Sequence, residues 1–211
     1  MAKALAFTIL FLFPTFFRSY GEDVLSRWRK SFDKISTYRC KCFYRSEFDG
    51  VIEERVYNYY FKKPKLIRME ITSGKDKGSV AVYRDGKVRA HKGGILSFIV
   101  LTFDARDRMV CDRRGKGMDT TDWGYVIEEM ERASRAGRMK VWRGKLEGKE
   151  VYVMEAKDFS SQRETSDRIY LSADTLIPLR REGLEDGKVV SYEIYKDVEL
   201  NVPLDDKLFK L

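Results

Sequence analysis

"YRCKCFYRSEFDGVIEERVYNYYFKKP", residues 38–64, decides the fold. Tyr38, Cys40, Cys42 and Tyr44 alternate with Arg39, Lys41 and Arg45, the period of two expected of a half-buried strand. Asp49-Gly50 then turns the chain, because both central residues of a tight hairpin need positive φ and glycine adopts it at least cost. Val51 to Phe61 returns with Tyr57, Tyr59 and Phe61 on one face, and Pro64 marks the break.

Working outward, Ile67, Met69 and Ile71 carry the next strand, and the acidic-glycine turn recurs at Asp85-Gly86, Glu147-Gly148 and Asp186-Gly187. Four hairpin signals of one kind predict consecutive antiparallel strands, about eleven in all, rather than a parallel α/β sheet. Two segments break the strand pattern. Leu25, Trp28, Phe32 and Ile35 form one apolar stripe at helical spacing behind a capping Asp23. Val126, Met130 and Ala133 do the same after Thr121 or Asp122, and Gly137 suits the stop. No linker or repeat divides the chain. The predicted architecture is α+β, a strongly curved antiparallel sheet forming an open half-barrel, with two helices covering its concave face. The hollow between them is either packed solid or left open for a ligand.

The first twenty-one residues read as a secretory signal peptide, with Lys3, an apolar run from Ala4 to Phe17, and small residues Ser19 and Gly21 before a cut at Glu22. An uncleaved N-terminal anchor is the other reading of the same stretch. The mature region, 22–211, has the length of one domain, and export predicts a periplasmic location. Removing Lys3 and Arg18 lowers the formal charge from +8 to +6. For an exported chain that balance fits an anionic membrane surface or an acidic partner and argues against nucleic acid. Arg106-Arg108, Arg113-Arg114-Lys116 and Arg132-Arg135-Arg138 are the candidate docking clusters, or simply solvated decoration.

Cys40, Cys42 and Cys111 make an odd number for an oxidising compartment. Cys40 and Cys42 share a face, but their Cα atoms lie roughly 6.5–7 Å apart on a strand, at the limit of a disulfide. Free thiols, a bridge from Cys111 to one of them, and a Cys₃His zinc site with His91 all stay open; the first two are favoured, and no cofactor or metal is expected.

"HKGGILSFIVLTFDARDR", residues 91–108, holds the chain's one histidine and an uncharged run from Ile95 to Phe103, in a protein whose residues are 35% charged. Read as a strand, the run is apolar on both faces. It either packs between core and cover, or lines an acyl cavity or its mouth. His91 lacks a Gly-x-Ser-x-Gly elbow, paired carboxylates or a His-Glu-x-x-His partner, so a structural role is expected and no enzyme is predicted.

The order of elements resembles that of the LolA/LolB-type lipoprotein carriers. The closing stretch carries Asp174, Pro178, Leu179, Asn201, Pro203, Leu204 and Phe209 where those proteins have an Asp turn, a Pro-Leu strand and an Asn-x-Pro-Leu-like tail. "GSVAVYRDGKVRAHKGG", residues 78–94, is similar to an uncharacterised bacterial branch of that superfamily, through Gly86, Lys87, Ala90, His91, Gly93 and Gly94 among others. The resemblance implies a half-barrel domain over 22–211, an apolar cavity sheltering acyl chains, and carriage or chaperoning of a lipid or acylated protein without covalent chemistry. The residues expected at the ligand are Trp28, Phe32, Tyr57, Tyr59, Phe61, Met69, Phe98, Ile99, Leu101, Val126 and Met130, the two helices acting as lids. The sequence departs from those carriers in its extra cysteines, and no arginine in it is assignable to their cavity gate. Two other readings stand beside this one: a cell-envelope interaction module with a filled interior and a basic docking surface, and a hydrolase dependent on His91.

Overall fold

The computed structural model describes residues 15–157 and 164–211, without the side chains of residues 15–20 and of Leu96. Residues 1–14 of the expected signal peptide therefore lie outside the described residues. Helix α1 spans Thr15–Asp33 and α2 spans Trp123–Arg135. Eleven strands follow chain order: β1 Thr37–Phe48, β2 Val51–Lys62, β3 Leu66–Gly74, β4 Val80–Arg84, β5 Lys87–His91, β6 Leu101–Asp104, β7 Met139–Leu146, β8 Lys149–Lys157, β9 Ser166–Ser172, β10 Pro178–Glu185 and β11 Lys188–Leu200.

All eleven form one antiparallel sheet in the order β6-β5-β4-β3-β2-β1-β11-β10-β9-β8-β7. Two meanders, β1 to β6 and β7 to β11, are joined through the β1–β11 pair, and the edges β6 and β7 do not meet. The result is the expected open half-barrel. Each of the four acidic-glycine pairs has both residues at positive φ, from 49° and 73° at Asp49-Gly50 to 51° and 82° at Asp186-Gly187, the geometry that matches strand twist in a two-residue hairpin.

Both helices cover the same part of the concave face. They touch each other, α1 reaches β7, and α2 reaches β7 and β8. Arg29 of α1 grips Glu131 of α2 with two hydrogen bonds of 2.8 and 2.9 Å. Asp122 caps α2, its Oδ1 accepting from the Tyr125 N–H at 3.0 Å. At the other end the Arg138 N–H donates to Ala133 O and the Gly137 N–H to Ser134 O, with Gly137 at φ +69°, a Schellman stop. Asp23 does not cap α1. The helix runs back to Thr15, leaving Asp23 inside it within 3.8 Å of Arg27, one turn on.

An aromatic stack holds helix to sheet. Tyr38 lies parallel to Trp123 with centroids 3.9 Å apart, and Phe61 and Tyr59 stack on Tyr38 at 4.9 and 5.7 Å. Each buried ring contributes about 1.5–3 kcal/mol by leaving water, and each well-placed pair about 0.5–1.5 kcal/mol more.

The run Ile95–Phe103 is not one strand. After β5 a short 3₁₀ turn spans Gly94–Leu96, and pairing resumes only at Leu101. Gly93 packs against the β3–β4 turn so closely that a Cβ would come within 2.6 Å of Lys77 O, and Gly94 turns the chain at φ +75°. The chain bends outward there as a tip, with Ile95 91% and Phe98 78% exposed.

Candidate functional site

Where the helices stop, the concave face of β2 to β6 is roofed instead by the strap of residues 105–121, and a cavity of about 570 Å³ lies between them. Its origin is legible in the register. One row across the sheet pairs Tyr59 with Met69, Met69 with Ala81, Ala81 with Ala90 and Ala90 with Leu101. The adjacent row on the same face reads Phe61, Ile67, Tyr83, Val88 and Phe103. The second row fills its space; the first has two alanines in its middle, and the hollow sits over them.

The strap is pinned by ionic and polar contacts. Tyr44 donates to Asp112 at 2.6 Å, Arg113 reaches Glu53 at 2.7 Å, and Lys116 reaches Glu164 at 2.6 Å. Arg114 donates to the Glu47 carbonyl and pairs with Glu185 at 3.3 Å. Arg106 ties the strap to its own Asp119 at 3.0 Å. These contacts correct the reading of Arg113-Arg114-Lys116 as a docking cluster. The three charges point at carboxylates or carbonyls of the sheet side, because the strap lies on a face that carries Glu53 and Glu164 nearly buried. Burial raises the Glu53 carboxyl, but Lys75, Arg113 and Arg55 hold it below its ordinary value. Glu164 is likewise opposed by burial and lowered by Lys116 and Ser191.

The cavity runs from the sheet edge inward. At its outer end stand Ile99, Leu101, Met109, His91 and Lys92; along it lie Met69, Ile71, Ala81, Ala90, Val110 and Met118. Its inner end is polar, formed by Tyr57, Ser191, Glu193, Arg181 and Thr120. Arg181 is buried and holds Asp167 at 2.6 and 2.9 Å while donating to Thr120 O at 2.9 Å. Burial opposes its charge, and Asp167 more than restores it. Glu193 accepts from Tyr57 and, at 2.7 Å, from Tyr195. Burial first, then the Glu193 charge, raise both phenols well above their ordinary range, so both remain protonated donors.

Of the residues expected at the ligand, the structure brings Tyr57, Met69, Ile99 and Leu101 to the cavity wall. Trp28, Phe32, Tyr59, Phe61, Val126 and Met130 sit in the packed core under and between the helices, and Phe98 stands exposed on the tip beside Ile99. The sequence reading missed the alanine row, the strap, and the inner polar group of Arg181, Glu193 and Lys116. A signal for the last was present: Asp167, Ile169 and Leu171, and Ser191, Glu193 and Tyr195, are alternation patterns that put charges on the inward face.

His91 occupies the rim, its Nδ1 3.1 Å from the Lys92 carbonyl oxygen. The three cysteines are free thiols; Cys40 and Cys42 have sulfurs 3.6 Å apart within the core, and Cys111 on the strap leans on Ala105 O at 3.7 Å. Burial raises the Cys42 thiol well above its ordinary value, which suits an inert core residue. Among the described residues no group of three or more His, Cys, Asp and Glu side chains is placed to hold a metal, and no helix is long and apolar enough to cross a membrane.

No protein-family model matches this chain, and no curated protein sequence matches it. Solved structures do. An uncharacterised conserved protein from Thermus thermophilus superimposes with a TM-score of 0.58 at 13% identity, over 91% of this chain and 94% of that one. A putative outer membrane lipoprotein-sorting protein domain from Vibrio parahaemolyticus gives 0.52 at 10% identity, over 92% and 97%. A DUF1329 family protein from Desulfovibrio piger gives 0.52 at 12%, over 92% and 97%. At such identities the likeness is one of fold, and it bears out the resemblance drawn from the sequence at that level. The chain shares its open half-barrel fold with that lipoprotein-sorting domain.

Proposed function

We propose that this chain is an exported, periplasmic carrier or chaperone that shelters an acyl chain, free or attached to a lipid or protein, in the cavity beneath its strap. The observation that carries the reading is the hollow over Ala81 and Ala90. It is walled by apolar side chains, has the size of a small-molecule site, and opens beside the apolar tip. Tyr57, Met69, Ile99 and Leu101 are the proposed contacts from the expected set, joined by Ala81, Ala90 and Met118. The exposed tip of Ile95 and Phe98, with the exposed Lys92 just before it in the chain, suits loading or delivery at an anionic membrane surface. His91 lies on the rim with its ring against a backbone carbonyl, a setting that supports a binding site rather than a hydrolytic one. The lipoprotein-sorting neighbour shares the fold and adds support of that kind alone.

The test is native mass spectrometry of the protein purified from its own host, followed by organic extraction, together with titration of a fluorescent fatty-acyl probe. Saturable probe binding and extractable lipid are expected. An empty protein that binds no acyl probe overturns the reading.

A further inference from the structure

The polarity of the cavity runs opposite to that of a chamber that leaves its ligand's head in water. Its outer end is mainly apolar, with Ile99, Leu101 and Met109 exposed at the rim beside Lys92 and His91, while its inner end is buried and polar, with Arg181, Glu193, Tyr57, Ser191 and Thr120. An acyl chain pushed inward tail-first would bring its end against these polar groups without solvating them.

The inner charges are already answered. Arg181 is paired with Asp167, Lys116 with Glu164, and Asp112 accepts from Tyr44 and from the Lys116 N–H at 2.8 Å. Glu193 differs: it meets two phenol hydroxyls and the Cys42 thiol rather than a cation, and it faces the cavity. A carboxylate has about four lone-pair sites, so these three donors still leave it room to accept one more. Among the described residues, no cation at that end lacks a carboxylate of its own to receive an anionic head, and Glu193 repels one.

Resting on the carrier reading, the geometry points to head-inward binding of a single-chain amphiphile whose head is uncharged and donates hydrogen bonds, a hydroxyl-bearing head such as that of a monoacylglycerol. The head donates to Glu193 between Tyr57 and the strap, and the chain runs outward over Ala81 and Ala90 to the rim. A free fatty acid or a phosphate-headed lipid of equal chain length binds more weakly.

Two measurements test this on the full chain. In competition against a fluorescent acyl probe, a long-chain monoacylglycerol is expected to bind at least about tenfold more tightly than the fatty acid of the same length, and Glu193→Gln narrows that gap by relieving the repulsion. On the unaltered protein, a monoacylglycerol carrying a photoreactive diazirine at its chain end is expected to label residues 95–109. Label on residues 181–195 instead, or a fatty acid that binds as well as the monoacylglycerol, overturns the head-inward assignment while leaving the carrier reading in place. Failure of every acyl probe to bind overturns both.

Discussion

Lys116 Nζ lies 2.6 Å from Glu164 Oε2, joining the strap to the segment that leads into β9, and Ser191 of β11 holds the other oxygen of the same carboxylate at 2.6 Å. One glutamate thus ties the cavity's roof to its inner wall. Glu53 does the same on the other side, receiving Arg113 from the strap and Lys75 from the β3–β4 turn.

Both carboxyls titrate lower in the folded chain than in the unfolded one, where a glutamate sits at about 4.3. Their stabilising contribution is therefore complete above that value and is lost as the pH falls through the lower, folded values. Acidification below about pH 4 is expected to loosen the strap before the sheet melts. Hydrogen exchange should show amides of residues 105–121 losing protection at a higher pH than those of β1 and β11. Simultaneous loss in both regions defeats this prediction.

Gly183 is the point where the inner wall is tightest. A Cβ built there overlaps the Glu164 carboxylate, whereas the backbone φ at Gly183 asks for no glycine. Gly183→Ala is expected to evict Glu164 from its seat and leave Lys116 without its partner, at a cost of about 1–3 kcal/mol. Denaturant titration measures the loss. Gly187→Ala, at φ +82° in open space, is the control: it strains the backbone of the hairpin and touches nothing.

The half-barrel was legible because its signals are local. Alternation from Tyr38 to Tyr44, and Asp-Gly or Glu-Gly at four turns, depend on a few neighbouring residues and survive any tertiary context. The site was not legible in the same way. The Ile95–Phe103 run looks like a strand because hydrophobicity alone does not say whether a partner exists, and Gly93's contact with Lys77 and Gly78 ends the pairing early. Trp28, Phe61 and Met130 have the composition of a lipid-binding wall and the position of a core, a distinction set by which half of the face the helices cover. The hollow itself depends on Ala81 and Ala90 falling opposite each other, and that register appears only once β3, β4 and β5 are paired. The basic residues of the strap gave a surface signal until their partners, distant in the chain, were placed against them.

That alanine pair gives the sharpest test of the cavity. Ala81→Leu and Ala90→Leu each add a side chain to open space rather than to a packed interior, so neither should cost the roughly 1–3 kcal/mol typical of overpacking. The expected result is an unchanged or raised Tm together with at least about tenfold weaker binding of an acyl probe, since the chain loses its path over the row. If the double variant binds as the parent does, the ligand lies elsewhere.

The tip separates docking from binding. Ile95 and Phe98 are exposed, Phe98 is not part of the cavity wall, and the exposed Lys92 supplies a cation just before the tip in the chain. Burying a phenylalanine and an isoleucine in a lipid interface is favourable by about 1.5–3 kcal/mol each, and a nearby cation adds about 1 kcal/mol on an anionic surface. Phe98→Asp removes an anchor and introduces a like charge to the headgroups. Co-sedimentation with vesicles containing phosphatidylglycerol is expected to fall about tenfold or more, with the residual binding steeply salt-dependent, while affinity for a soluble acyl probe stays at the parent value. Equal loss of both activities would mean that Phe98 supports the chamber from outside; equal retention would mean that the exposed apolar tip meets something other than a membrane.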